Sequence, residues 1–248
     1  MLQNFESLVL IWLGIGFITF ITLLKIPAPY GKFSKTNWGP MIPSKLGWIV
    51  MEIISPIALL YFFLNGNIEK TPTNITFMSL WTLHYFNRSV IYPLRQNNPA
   101  QMPLLIAVLA FLFNVMNGYI NGTYFGSIQE YSAEYMSNWN FIVGVCLFII
   151  GAYINIKSDN ILLSLRSKSG EYKIPEGFMF RYVSFPNYLG EILEWMAFAL
   201  MTWSLAGLSF MIWTMANLVP RAIKGHQWYH DKFESYPKNR KAIFPFII

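Results

Sequence analysis

Asn187, Glu191 and Glu194 recur at i, i+4 and i+7 inside an otherwise apolar run that continues to Trp203. On a helix that spacing is one face, so two carboxylates and an amide share a side of a membrane-length segment. Charge within a bilayer costs several kcal/mol unless it is paired or faces a polar cavity, which marks the face as a place for chemistry. Two more stripes are built alike. Asn155, Asp159, Leu162 and Arg166 fall at i, i+4, i+7 and i+11, and Tyr85, Arg88, Tyr92 and Arg95 at i, i+3, i+7 and i+10. Any one stripe is accounted for by an interhelical hydrogen-bond or salt-bridge ladder. Three of them, mixing acids, Arg and Asn and ending on one side of the membrane, favour a shared polar pocket. Such a pocket beside Arg and Lys suits an anionic ligand such as a phosphorylated cofactor.

Glu52 stands in the first half of another apolar run, Trp48-Ile-Val-Met-Glu52-Ile-Ile-Ser-Pro56. A carboxylic acid among apolar neighbours tends to keep its proton and then acts as a hydrogen-bond donor, able to polarise a carbonyl. The plainer alternative is a helix–helix bond to a Ser or Tyr.

The elements that must position these residues are apolar helices. Hydrophobic residues make up 54% and charged residues 12% of 248, with a mean hydropathy of +0.39. Apolar runs close to the about 20 residues needed to cross a bilayer lie at Leu8–Leu24, Leu46–Asn65, Ile75–Leu94, Pro103–Ile120, Trp139–Ile156, Asn187–Trp203 and Leu205–Arg221. The first is read as a retained helix rather than a signal peptide, because its amino end carries Glu6 and no basic flank, and no small-residue cleavage site follows. All Lys and Arg residues except Lys70 cluster between runs one and two, at the end of run three, between five and six, and after seven. That alternation predicts an all-α polytopic membrane protein of seven spans, with its N-terminus outside and its C-terminus cytoplasmic. The net charge of +6 therefore reflects topology first. It can also assist a polyanionic cofactor, whereas nucleic acid is not expected without a soluble basic domain.

Metal binding is not expected. Cys146 is the single cysteine, and His226 and His230 at i, i+4 lack the Glu of a zinc-protease motif. Gly14-Ile-Gly16 lies within an apolar run, and neither a strand–GxGxxG–helix unit nor a GxxxxGK[ST] loop occurs. A nucleotide would have to sit among the helices. One membrane domain over 1–248 is expected, with substrate-side helices over about 1–125 and a cofactor-binding part over about 139–248.

From Asn155 to Ile248 the chain resembles the steroid 5α-reductase family of membrane enzymes. The resemblance rests on Asn155-Ile-Lys-Ser-Asp159 with Leu165-Arg166, Tyr172-Lys-Ile-Pro175-Glu-Gly177 and Asn187-Tyr-Leu-Gly-Glu191-Ile-Leu-Glu194-Trp195. It continues in Arg221-Ala222, Tyr229, Lys232-Phe-Glu234 and Tyr236-Pro-Lys-Asn-Arg240-Lys-Ala-Ile-Phe-Pro245-Phe. Upstream, Glu52 and His84-Tyr85-Phe86-Asn87-Arg88 extend it over nearly the whole chain. The resemblance implies a seven-helix enzyme that reduces the Δ4 double bond of a 3-oxosteroid with NADPH. It implies that Glu52 and Tyr85 hold the 3-keto oxygen. It places Arg95, Asn155, Asp159, Arg166 and Asn187 on the dinucleotide, with Tyr172, Glu191, Arg221, His226 and Tyr229 as further contacts. Lys35, Arg95 and Arg166 are the candidate cations for the extra phosphate of NADPH, whose charge Arg and Lys match. Two departures stand out. Met51 precedes the glutamate where the steroid enzymes carry glutamine, and the histidine-rich run before the final tyrosine is reduced to Lys224-Gly225-His226-Gln227.

The expected partners are a steroid or other apolar lipid from the bilayer, and membrane lipids, with the protein a monomer in a bacterial inner membrane or the endoplasmic reticulum. Three other readings stay open. They are a reductase of another lipid alkene (a polyprenol or enoyl thioester), a membrane S-adenosylmethionine-dependent methyltransferase, and a non-enzymatic sterol-binding or transport protein. No Arg-His-Pro-x-Tyr-type segment supports the methyltransferase, and no inverted repeat supports transport.

Overall fold

The computed structural model describes residues 2–96, 100–165 and 172–248, and each expected apolar run is helical in it. The helices are α1 Leu2–Lys25, α2 Ser44–Leu64, α3 Pro72–Phe86, the single turn α4 Tyr92–Leu94, α5 Leu104–Thr123, α6 Trp139–Leu165, α7 Pro186–Thr202 and α8 Leu205–Lys232. π-Helical turns at Asn87–Ile91 and Tyr124–Ile128 extend α3 and α5. Among the described residues, four helical segments are long and apolar enough to cross a membrane: Leu2–Lys25, Ser44–Leu64, Leu104–Ile128 and Trp139–Leu165. Along α1, Leu10, Ile11, Phe17 and Ile18 are each at least 60% exposed. Water would not tolerate such a continuous apolar face, but lipid does. The chain is a multi-pass membrane protein.

Local signals set the helix ends. Thr71 Oγ1 accepts from the Asn74 amide at 3.3 Å with Pro72 in the first turn of α3, and Ser204 Oγ accepts from the Gly207 amide at 3.0 Å at the start of α8. Trp203, at φ +46°, closes α7 in the left-handed conformation. One element was not legible in the sequence. Strands β1 Met41–Pro43 and β2 Gln101–Pro103 pair antiparallel, with Ile42 opposite Met102. Each strand ends in the proline that opens the next helix, and the first amides of α2 and α5 donate to Ala100 O and Pro40 O at 2.9 and 2.8 Å. Segments of three residues carry no periodicity, which is why they read as loop.

The chain divides into two units: Met1–Val9 with Ala28–Ile142, and Leu10–Pro27 with Val143–Ile248. In the first, α5 lies against α2 along a stripe that includes Gly118 and Gly122. A Cβ on Gly118 would stand 2.6 Å from Ala58 Cβ and 2.8 Å from the Leu59 amide nitrogen. Small residues at four-residue spacing allow this backbone approach. Trp81, Phe77 and Phe125 fill the surrounding core. In the second unit, Gly151 and Gly190 bring α6 onto α7, where a Cβ on Gly190 would stand 2.5 Å from the Asn155 amide nitrogen. Trp213 of α8 donates through Nε1 to Trp12 O at 3.1 Å, and Trp195, Phe198 and Phe210 are buried.

The α2–α5 contact makes a direct prediction. Gly118→Leu has no room, and overpacking of this kind costs about 1–3 kcal/mol. Thermal unfolding in detergent should show a lowered midpoint for Gly118→Leu, while Gly14→Ala, with nothing within 4 Å of its added methyl, stays near the parent.

Candidate active site

In the first unit Glu52 is half-buried on α2 and Tyr85 is 5% exposed on α3. Two hydrogen-bonded rungs register the helices here. Trp81 Nε1 donates to Ser55 Oγ at 3.1 Å. One turn on, Tyr85 Oη donates to Asn114 Oδ1 at 3.3 Å, and Asn114 Nδ2 donates to Met51 O at 2.6 Å. The Tyr85 ring is stacked on Trp81 with centroids 5.7 Å apart and planes at 24°. Pro56 has no N–H for the Glu52 carbonyl four residues earlier, so α2 is loosened at the turn that carries the acid. Arg88 is buried over Trp48 and Tyr92, with its guanidinium carbon 5.0 and 5.4 Å from their ring centroids. Of the stripe Tyr85, Arg88, Tyr92 and Arg95, the first three are buried. Arg95 is exposed, because the helical run ends at it. Lys35 is exposed in the segment before β1.

In the second unit residues of the other two stripes are hydrogen-bonded to one another. Asn155 and Asp159 on α6 are 2% and 3% exposed, and Asn187 at the start of α7 is 7% exposed. Asn155 Nδ2 donates to Asn187 O at 2.9 Å, and Asn187 Nδ2 donates to Asp159 Oδ1 at 3.1 Å. Ser158, absent from the predicted set, is fully buried beside Asp159 in the chain. Among the described residues, Ser158 Oγ and Asn187 Oδ1 are buried without a hydrogen-bond partner. Glu191 is half-buried and Glu194 buried on the same helix. Arg221 Nε donates to Tyr188 Oη at 3.1 Å. Tyr229 is buried and stacked on Tyr236, centroids 5.1 Å apart at 10°. Tyr172 is exposed, with its ring 5.0 Å from Trp228. Arg166 lies outside the described residues.

His226, past the apolar part of α8, belongs to a knot that sequence spacing did not show. The C-terminal segment runs beside the residues that precede α7: Ser184 N donates to Lys241 O at 2.8 Å and Lys241 N to Tyr182 O at 2.9 Å. Ser184 Oγ lies 2.6 Å from His226 Nδ1 and accepts from Tyr236 Oη at 2.7 Å. Arg240 donates to Tyr236 Oη at 3.3 Å and to Pro175 O at 3.1 Å. Burial, reinforced by His230, Arg240 and Lys241, pushes the His226 imidazole down to about 4. It is therefore neutral at pH 7.

Membrane helices carrying paired polar clusters define the class, and comparison with known proteins defines the family. The family described as 3-oxo-5-alpha-steroid 4-dehydrogenase matches residues 100–248. The chain is 43% identical over 248 residues to steroid 5-alpha-reductase DET2 of Solanum lycopersicum, covering 98% of this chain and 96% of the relative. It is 37% identical over 238 residues to 3-oxo-5-alpha-steroid 4-dehydrogenase 1 of Rattus norvegicus, covering 94% and 91%. To the Homo sapiens protein of that name it is 35% identical, covering 94% and 92%. This chain belongs to the 3-oxo-5-alpha-steroid 4-dehydrogenase family, and it is an oxidoreductase of the CH–CH class.

The depressed His226 value fixes a sign. The folded imidazole protonates only near pH 4, the unfolded one near 6.5, so between these values the unfolded chain binds more protons. Stability is full above about pH 6.5 and falls as pH drops toward 4. The midpoint of thermal unfolding should decline across that window more steeply in the parent than in His226→Gln.

Proposed function

We propose that the protein reduces the Δ4 double bond of a 3-oxosteroid to the 5α-dihydro product with NADPH, and that Glu52 and Tyr85 polarise the 3-keto group. One observation carries the reading within this family. The buried Tyr85 hydroxyl is tied through Asn114 to the carbonyl of Met51, the residue before Glu52 on α2, which supports pairing the phenol with the acid. With both groups donating to the ketone oxygen, electron density is drawn away from C5. The same donors hold the negative oxygen that develops until C4 takes a proton. NADPH, when bound, supplies the hydride that C5 takes up.

The α6–α7 cluster fits such a cofactor. Asn187 Oδ1 and Ser158 Oγ offer a buried acceptor and a buried hydroxyl to ligand amide or hydroxyl groups. Asn155, Asp159, Arg166 and Asn187 would hold the dinucleotide, with Tyr172, Glu191, Arg221, His226 and Tyr229 as further contacts. Lys35, Arg95 and Arg166 are the cations assigned to its extra phosphate, since Arg and Lys match phosphate charge. The protein acts as a monomer and one membrane domain, and its apolar substrate arrives from the lipid. Seven helices cross, with the N-terminus outside and the C-terminus cytoplasmic, as supported by the basic loops.

Purified protein in detergent with NADPH and testosterone or progesterone should yield the 5α-dihydro product by mass spectrometry. Glu52→Ala and Tyr85→Phe should each lower kcat by about 10²–10³ with NADPH affinity little changed. Near-normal turnover in Glu52→Ala would make that residue structural. In the same assay at least one Gln replacement among Lys35, Arg95 and Arg166 should erode the preference for NADPH over NADH. An intact preference in all three overturns the phosphate assignment.

Topology is tested by cysteine labelling in a Cys146→Ser background. Probes at Lys70 and Glu130 should react from the non-cytoplasmic side, and probes at Lys35, Lys168 and Lys238 from the cytoplasmic side. Labelling of both sets from one side would rule out the seven-span arrangement.

A further inference from the structure

We infer that Asn114 is the positioning residue of the carbonyl-polarising pair: its side-chain amide sets the Tyr85 hydroxyl against the Glu52 turn and holds the phenolic proton on a weak acceptor until substrate replaces it. The inference deepens the reading of Glu52 and Tyr85 as ketone donors and rests on it.

The amide has only one orientation that fits its partners. The group 2.6 Å from Asn114 Nδ2 is the Met51 carbonyl, which only accepts, so the nitrogen must face it. The oxygen Oδ1 is thereby turned to Tyr85, and the phenol must be the donor in that contact. The two bonds differ in strength. At 2.6 Å the bond to Met51 is short for N–H···O, and at 3.3 Å the bond from Tyr85 is long for O–H···O. Asn114 is thus anchored on the α2 backbone and only lightly engaged with the phenol. Rotation of the hydroxyl about its C–O bond moves the proton from Asn114 to a ketone oxygen at small cost, because the bond given up is weak.

The surroundings hold the donor in place. Asn114 is 3% exposed and stands one turn before Gly118, where α5 lies close against the α2 backbone, so its short side chain reaches a main-chain carbonyl of the neighbouring helix. Tyr85 is held from the other side by its stack on Trp81, itself bonded to Ser55. Met51 and Ser55 bracket Glu52 on α2, and Pro56 withholds the intrahelical hydrogen bond from the Glu52 carbonyl. At a turn weakened in this way, the amide bond to Met51 supports the α2 backbone from a neighbouring helix. Removing it should misplace the phenol by a fraction of an ångström rather than unfold the helices.

A double-mutant cycle in turnover tests this. Asn114→Leu keeps the volume and removes both bonds. It should lower kcat by about 10²-fold, the scale of a small misplacement at a reacting group, and leave the affinity for NADPH unchanged. Placed on Tyr85→Phe, which has no phenolic proton to position, the same substitution should cost less than about threefold more, since residues acting through one another are not additive. Asn114→Asp restores an acceptor for the phenol but not the donor to Met51, and should stay impaired. Equal fold-losses from Asn114→Leu in both backgrounds, or parental kcat in Asn114→Leu, would overturn the assignment. If Asn114→Leu is not recovered folded, Asn114→Ala, which also lacks both bonds, enters the same cycle with the same criteria. Failure of the underlying reading looks different: Tyr85→Phe alone would then turn over normally.

Discussion

A polar group held away from water must find a partner inside the protein, and in this chain that requirement decides where the helices touch. Polar side chains are few along the membrane helices, and most that are buried are engaged in short, directional contacts. Asn114, Asn155 and Asn187 each reach a defined atom on another helix, and Trp81 and Tyr85 do the same from α3. Apolar packing alone would let such helices slide past one another, because lipid tails solvate Leu and Ile as well as a neighbouring helix does. Hydrogen bonds to fixed backbone atoms remove that freedom.

The two units use the same device. Asn114 donates to the carbonyl of Met51, and Asn155 donates to the carbonyl of Asn187. In each case a glycine permits the approach: Gly118 lies one turn from Asn114, and Gly190 lies against the Asn155 backbone. Asparagine suits the task because its short side chain carries a donor and an acceptor that diverge from one carbon. The donor ties down a neighbouring main chain, and the acceptor is then presented at a known angle. In the first unit that acceptor meets Tyr85. In the second, Asn187 carries the pattern further, its amide nitrogen on Asp159 and its oxygen buried without a partner among the described residues. A cluster built this way is rigid and still incomplete, which is what a ligand site needs before its ligand arrives.

The C-terminal segment shows a different economy. Ser184, His226, Tyr236 and Arg240 share a few protons over a short chain of contacts, and backbone pairing of Ser184 and Phe185 with Lys241 and Ala242 holds the segment in place. Its neutral imidazole follows from burial next to three cationic or protonatable neighbours. The tail is therefore part of the folded unit that includes the α7 residues of the site, and Tyr229, stacked on Tyr236, is placed by it.

Much of this was legible in the amino-acid order. Helical periodicity is local, so the apolar runs, the Asn155–Asp159 and Asn187–Glu194 stripes, and the family motifs could be read without knowing any contact. The cost of burying those polar stripes alone marked them as needing partners, and the structure shows two of them bonded to each other. Asn114, Asn117 and Asn121 form a comparable stripe in an apolar run, and the same reasoning about amides in membrane helices would have marked it. Other features depended on the tertiary structure. Arg95 shares a spacing with Tyr85 but not its burial, because the helix ends there. The β1–β2 pair, the Ser184–His226–Tyr236 knot and the choice of Met51 O as the partner of Asn114 each join residues far apart in the chain. Sequence alone determined which faces are polar and which family chemistry those faces resemble. Which carbonyl an amide reaches was settled only by how closely two backbones approach, and that distance comes from packing at glycines, not from any local periodicity.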